Sequence, residues 1–307
     1  MKAAFRAFLL LALAALAALP FQATQYRITQ FLQLFMWIAL AQSWNLISGL
    51  TGYVSFGHVA FFGMGAYTGA LLISRLEVHW LLASLAGGGM AALLAVAIGW
   101  PCLRLKGPYF AIAMLGLNEV MRIIASSWES LTKGGTGITL PPVLNIVPLY
   151  FAMGLTALGV ACLSRAIVRS KFGLRLLAIR EDEVAAEAMG INPARHKLAA
   201  FMLSAVGPGV VGGLFADYTS YIEPVSVFPV LTTVTMIIMT LFGGQGTVLG
   251  PVLGSVSLYF IQDYVWARYL FLHQALFGGL IVAVVLFMPR GIIGLLRDRG
   301  WVARGYR

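Results

Sequence analysis

Ten apolar segments, each near the length of a bilayer-crossing helix, follow one another along this chain and decide what it can fold into. They fall at about 7–21, 31–50, 58–74, 80–100, 108–126, 143–163, 198–216, 229–242, 247–263 and 270–288. A helix needs about 20 mainly apolar residues to cross about 30 Å of hydrocarbon. Within lipid every backbone N–H and C=O must find a partner inside the protein, so consecutive helices are the natural solution. The expected fold is an all-α polytopic membrane protein of eight to ten transmembrane or half-membrane helices, forming one domain over 1–307. Segment 229–242 is short for a full crossing, and 31–50 is parted from 58–74 by a glycine-rich break, so either region admits a half-helix or re-entrant element. A water-soluble fold is excluded, because 60% hydrophobic against 10% charged residues leaves too little polar surface to coat one.

The formal charge of +10 points to orientation and not to nucleic acid, since the basic groups sit between apolar segments instead of clustering on one face. With both termini cytoplasmic, the inner loops hold Lys2, Arg6, Arg104, Lys106, the basic residues from Arg165 to Lys197, and those from Arg290 to Arg307. The outer loops keep Arg27, Arg75, Lys133 and Arg268, and Arg122 lies within a span. That distribution obeys the positive-inside rule. Lys2, Arg6, the apolar middle and the Phe21-Gln22-Ala23 end also fit a cleavable leader, but retaining the first segment puts the charges in order.

The motifs of chemistry are missing from the sequence. There is no Gly-x4-Gly-Lys-Ser/Thr phosphate loop, and the Lys133-Gly-Gly-Thr-Gly137 run follows no strand. Gly-x-Ser-x-Gly and His-Glu-x-x-His are absent too. The two cysteines, Cys102 and Cys162, offer neither a disulfide framework nor metal-ligand spacing. The chain is expected to be no enzyme and to carry no cofactor or metal; if ATP drives it, another chain binds the ATP.

The longest polar stretch, 165–197, carries helix signals. Glu181, Asp182 and Glu183 place negative charge at a helix start, where the macrodipole favours it. Val184, Ala185, Ala188 and Met189 form a narrow apolar stripe that needs a partner. Gly190 is the expected left-handed cap, Ile191 packs back over the last turn, and Asn192-Pro193 opens the next helix. Periodicity alone leaves two readings open: a short helix that transmits a push from a cytosolic partner, or a solvated, positively biased loop serving topology.

The string Arg175-Leu-Leu-Ala-Ile-Arg180-Glu-Asp-Glu183 followed by Ala186-Glu187-Ala188-Met189-Gly190-Ile191 resembles the coupling-loop region of LivM-type permeases of branched-chain amino-acid ABC importers. Four more segments are similar to that family in the same order: the run from Gly49 through His58 to Tyr67, Leu105 to Ile112, Gly243 to Pro251, and Met288-Pro-Arg-Gly291. The resemblance covers almost the whole chain. It implies an ABC importer permease bundle with Glu183, Ala186, Glu187, Ala188, Gly190 and Ile191 as the residues that couple to an ATPase. It also implies a cytoplasmic tail at about 289–307 and a place in the bacterial plasma (inner) membrane. The implied partners are a second homologous permease, two cytosolic ATP-binding subunits and an extracytoplasmic solute-binding protein. The implied cargo ranges over branched-chain and other amino acids, urea and short amides. Gly207-Pro208-Gly209 departs from the pattern, because a mid-helix proline removes a backbone donor and bends helices.

Polar groups at membrane depth are costly and therefore candidates for a translocation path. The candidates are Asn45, Ser55, His58, Asn118, Glu119 and Arg122, with the glycines Gly57 and Gly63 as further candidates for the path. Glu119 and Arg122, three residues apart, suit an intrahelical ion pair, either structural or in contact with cargo. His58 follows the first glycine break, and Gly52, Gly57, Gly63 and Gly65 around it permit close packing or unwound backbone. The breaks at 49–57 and 243–250 occupy similar places relative to their spans, a hint of paired substrate-route elements. The alternative class is an ion-driven secondary transporter, which needs carboxylates at depth; Glu119 is the one well inside a span, with Arg122 beside it.

Overall fold

A computed structural model describes residues 16, 18–268, 278–279 and 291–298. Expected spans 7–21 and 270–288, and the tail 289–307, lie largely outside the described residues. The long helices are α1 (Gln25–Trp44), α2 (His58–Leu76), α3 (Trp80–Cys102), α4 (Pro108–Ser127), then, after a short α5 (Glu129–Thr132), α6 (Val147–Arg169). Next come α7 (Lys171–Glu181), α8 (Glu183–Ala188), α9 (Pro193–Thr219), α10 (Pro224–Val227), α11 (Val230–Gly243), α12 (Leu249–Arg268) and α13 (Gly291–Asp298). Two short strands, β1 (Ile138–Thr139) and β2 (Tyr221–Ile222), pair antiparallel with Ile138 opposite Ile222.

Among the described residues, six helical stretches are long and apolar enough to cross a membrane: α2, α3, α4, α6, α9 and the combined stretch Pro224–Gly243. Helix α1, expected as a span at 31–50, is not among them, because Gln25, Arg27, Gln30, Gln33 and Gln42 lower its mean hydropathy. From Ile38 to Gly49 its residues lie inside the bundle, Gln42 and Ser43 included, so protein and not lipid is its solvent. Segment 229–242 is the 14-residue α11, preceded by the separate turn α10.

The connections sort to two ends. At one end the breaks at 49–57 and 243–249 meet the 165–197 segment and Leu103. At the other, Arg75 donates to the carbonyls of Ser130 and Leu131 at 2.6 and 2.9 Å, and the β1–β2 pair joins the 138 and 221 loops. This alternation is what successive crossings demand.

Three helices form the tightest part of the bundle. Hydrophobic attraction between helices is weak in lipid, so close backbone contact through small residues does the packing. A Cβ on Gly65 of α2 would overlap the Gly209 carbonyl of α9, and one on Gly87 of α3 would lie 2.9 Å from the Gly65 carbonyl oxygen. One turn on, a Cβ on Gly213 would lie 2.6 Å from the Ser84 Cα. Pro208 sits inside this contact, yet α9 runs unbroken for 27 residues across it. Flanking Gly207 and Gly209 leave room for the proline ring and for neighbouring backbones.

Gly65→Ala is therefore expected to lower unfolding stability in detergent by about 1–3 kcal/mol, the usual cost of overpacking. Gly116→Ala is the control: nothing lies within 4 Å of its added methyl, and helix propensity predicts a gain of up to about 1 kcal/mol. Equal unfolding midpoints for the two variants would remove the backbone-contact account.

Candidate functional site

The two glycine-rich breaks, distant in sequence, lie against each other. Helix α1 ends in a π-helical turn at Asn45–Gly49, which frees backbone groups that the regular ladder would have used. Asn45 bridges the gap: its Oδ1 accepts from the Gly246 amide at 2.8 Å and its Nδ2 donates to the Thr247 carbonyl at 2.9 Å. Gln42 Nε2 donates to the Val248 carbonyl at 2.6 Å, and Gln245 Nε2 returns a bond to the Ser48 carbonyl at 2.9 Å. The breaks turn on glycines with positive φ, Gly52 at 78° in the first and Gly244 at 122° and Gly246 at 76° in the second. Gly291, at φ 65°, closes onto the same place, where an added Cβ would stand 2.6 Å from the Gly244 amide nitrogen.

The 165–197 segment is helical nearly throughout and is fastened to these breaks. Asp182, not Glu181, starts α8: its Oδ1 accepts from the amides of Val184 and Ala185, while Glu181 ends α7. Gly190 adopts φ 81°, the Ile191 amide donates back to the Ala186 carbonyl at 3.0 Å, and Asn192 Oδ1 caps α9 through the Arg195 amide. Ala186 is the buried member of α8. Glu187 and Ala188 are exposed, as are all four residues of the apolar stripe, with Val184 at 69% and Met189 at 70%.

Glu183 anchors the segment. It pairs with Lys197 in the first turns of α9 at 2.7 Å and accepts from the Tyr53 hydroxyl at 2.8 Å. The Lys197 ammonium, with a side chain only 3% exposed, also reaches the Tyr53 hydroxyl at 2.8 Å and the Leu103 carbonyl at 3.2 Å. All three of its N–H donors are used, and it lies 4.3 Å from the centre of the Tyr53 ring. A second tie runs from Arg180 to the Gly49 carbonyl at 2.6 Å. Burial pushes the Glu183 carboxyl up, but hydrogen bonds from Lys197 and Tyr53, with the charges of Lys197 and Lys106, outweigh it and hold the group below the ordinary glutamate value.

His58 is fully buried beside the first break. The Ser204 hydroxyl donates to the Phe201 carbonyl, so it accepts from His58 Nε2 at 3.2 Å, and His58 Nδ1 accepts from Ser55 Oγ at 2.9 Å. A neutral imidazole satisfies both contacts. Phe61 and Phe201 meet the ring edge-on. Ser55 also takes the Trp44 indole N–H on its carbonyl at 2.8 Å. Gly57 and Gly63 are close-packing positions: a Cβ on Gly57 would lie 2.6 Å from the Met114 carbonyl oxygen, and one on Gly63 would overlap the Phe228 ring.

On α4 the adjacent polar residues part company. Asn118 is buried and its Nδ2 donates to the Phe228 carbonyl at 3.0 Å. Glu119 and Arg122 form the expected ion pair, but on the outward face, with side chains 49% and 36% exposed. The structure thus gathers Asn45, Ser55, Gly57, His58 and Glu183 around the breaks and leaves Glu119 and Arg122 apart. Tyr53, Arg180, Lys197 and Gln245 escaped the sequence reading. Tyr53 lies inside the family-like string, and Lys197 reads in the sequence as a topological charge.

If the Glu183–Tyr53–Lys197 knot is one unit, Glu183→Ala and Lys197→Ala should each cost about 1–3 kcal/mol of stability, less than the about 3–5 kcal/mol of a fully buried pair. The double variant should cost clearly less than their sum, and strict additivity would contradict the pairing. A carboxyl depressed by folding stabilises above its unfolded pKa and loses that contribution as pH falls through the folded value. The wild-type unfolding temperature should therefore fall more steeply than that of Glu183→Gln between about pH 5 and pH 3, near the carboxylate range.

Residues 27–287 match the family described as branched-chain amino acid transport system / permease component. The chain is 28% identical over 327 aligned residues to the high-affinity branched-chain amino acid transport system permease protein LivM of Escherichia coli, covering 95% of this chain and 76% of that one. The LivM protein of Salmonella typhimurium gives 29% over the same shares. The probable branched-chain amino acid transport permease protein LivM of Methanocaldococcus jannaschii gives 23% over 69% of this chain and 66% of its own length. No solved structure gives a significant match. A match over most of its length, on a bundle of membrane-length helices, places this chain in the branched-chain amino acid transport permease family.

Proposed function

We propose that this permease is one of two membrane subunits of an ATP-driven importer of branched-chain or related amino acids, in which α7–α8 receives motion from an ATPase. The observation that carries the reading is the double fastening of this segment, by Glu183 and Lys197 to Tyr53 and by Arg180 to Gly49, directly to the paired helix breaks. A displacement of α8 moves those breaks, because no slack loop lies between them. Exposed Val184 and Met189 form the apolar contact a cytosolic subunit would cover. In this arrangement α8 faces the cytoplasm, both termini lie inside, and the chain sits in the bacterial inner membrane. ATP is bound by two separate cytosolic subunits, and this chain needs no cofactor of its own. A soluble extracytoplasmic binding protein hands over the cargo.

The outward Glu119–Arg122 pair supports a second permease beside α4. A charged pair mid-span is a poor neighbour for hydrocarbon, and a second chain or the water-filled path between two chains is the better one. The test is co-purification with the cognate ATPase subunits, and uptake in vesicles, for wild type and for Val184→Asp/Met189→Glu. These residues are exposed, so folding should persist while association and uptake fall at least about tenfold, the equivalent of about 1.4 kcal/mol or more. Uptake that continues without the ATPases and follows an ion gradient would replace this reading with the secondary-transporter one.

A further inference from the structure

At the end of the bundle opposite the breaks, a cavity of about 400 Å³ opens between the tip of α2, the start of α3, the 141–145 loop, the first turn of α6 and the last turn of α9. Its walls are mainly apolar, with Pro141, Pro142 and Leu149 among them, and the Trp80 indole on one side. Asp217 lines it. The residue as a whole is 8% exposed, and no donor among the described residues hydrogen-bonds to its carboxylate.

Its position makes the group expensive in two ways. Burial removes water, and the carbonyl end of a helix is the wrong terminus for an anion. The sequence places it one residue beyond the expected span 198–216, and the extension of α9 to Thr219 draws it inside. His79 also lines the cavity, where its Nδ1 accepts from the Leu81 amide at 3.3 Å as the cap of α3. Arg75, near the tip of α2, is spent on the Ser130 and Leu131 carbonyls. A buried anion facing an apolar cavity, with Trp80 beside it and no lysine or arginine among the described lining residues, is complementary to an ammonium on an apolar stem.

We propose that this cavity binds a primary alkylammonium group, held between the Asp217 carboxylate and the Trp80 ring with its stem along the proline wall. Under the orientation proposed above the site faces outside the cell. The binding itself does not rest on that orientation, so failure of ATPase coupling would leave it standing.

The test uses the full chain in lipid nanodiscs, titrated with n-butylammonium chloride and, as the neutral isostere, n-butanol, with calorimetry as readout. Saturable binding of the amine alone is expected, weakened at least about tenfold in Asp217→Asn of unchanged elution profile. Leu144→Lys guards against a folding artefact, because Leu144 is 97% exposed on the cavity rim and a lysine there supplies the ammonium internally. That variant should fold normally and lose butylammonium binding. Undiminished binding in either variant, equal binding of butanol, or no saturable binding by wild type would overturn the proposal. Carbodiimide coupling in the assembled transporter tells the two sources of ammonium apart: an Asp217-dependent cross-link to a docked protein assigns a lysine, and its absence with butylammonium binding retained assigns a free amine.

Discussion

A helix that breaks within packed protein must find new partners for the backbone groups it releases, and this constraint governs the end of the bundle where the two breaks meet. Two breaks solve it for each other. The Asn45 amide is both acceptor and donor across the gap, and Gln42 and Gln245 add one bond in each direction. Each break depends on the other for these hydrogen bonds. Their contact is therefore a joint made by polar complementarity and not by apolar area. Such a joint is directional, and a small rotation of one side strains several hydrogen bonds at once.

The glycine contacts of α2, α3 and α9 supply the contrasting half. Backbone against backbone at Gly65, Gly87 and Gly209 leaves no side chain to rearrange, so the three helices behave as one stiff body. Lys197 lies in the first turns of α9, and α9 carries that contact at its middle. The cation thus ties the stiff body to Glu183 of α8, and Tyr53 ties both to the loop that opens α2. In the proposed coupling, strain entering at α8 would meet the rigid block through α9 and the joint through Tyr53 and Arg180. The block would resist it, so the joint would take up the movement.

Local and one-dimensional features were legible in the sequence. Apolar lengths gave the helices, the Gly190 and Asn192-Pro193 signals gave the turn between α8 and α9, and the i, i+3 spacing gave the Glu119–Arg122 pair, because each depends on neighbours within a turn or two. The burial of α1 was not legible, since an apolar stretch facing protein and one facing lipid read alike until the neighbours are known. Lys197 was hidden for a similar reason. Its partners Tyr53 and Leu103 are about a hundred or more residues away, and a basic residue near a span end has an ordinary topological explanation that periodicity cannot displace. The paired breaks lay between these cases: glycine marked both, but only side-chain amides on opposite strands of chain could show that they touch.

Helix α4 sets the limit of what one chain can satisfy alone. Asn118 turns inward and pins the Phe228 carbonyl, which fixes the helix rotation to within a residue. That rotation turns Glu119 outward and leaves Arg122 at the edge of the packed face, beside the exposed Leu115, Val120 and Ile123. Turning the pair toward the bundle would lift Asn118 off its partner and push branched apolar side chains against the core. The mutual ion pair lowers the cost of two charges but does not cancel their desolvation in hydrocarbon. The same rotation that completes the inner packing leaves an outer face suited to water or to another polar surface, and the bilayer provides neither at that depth.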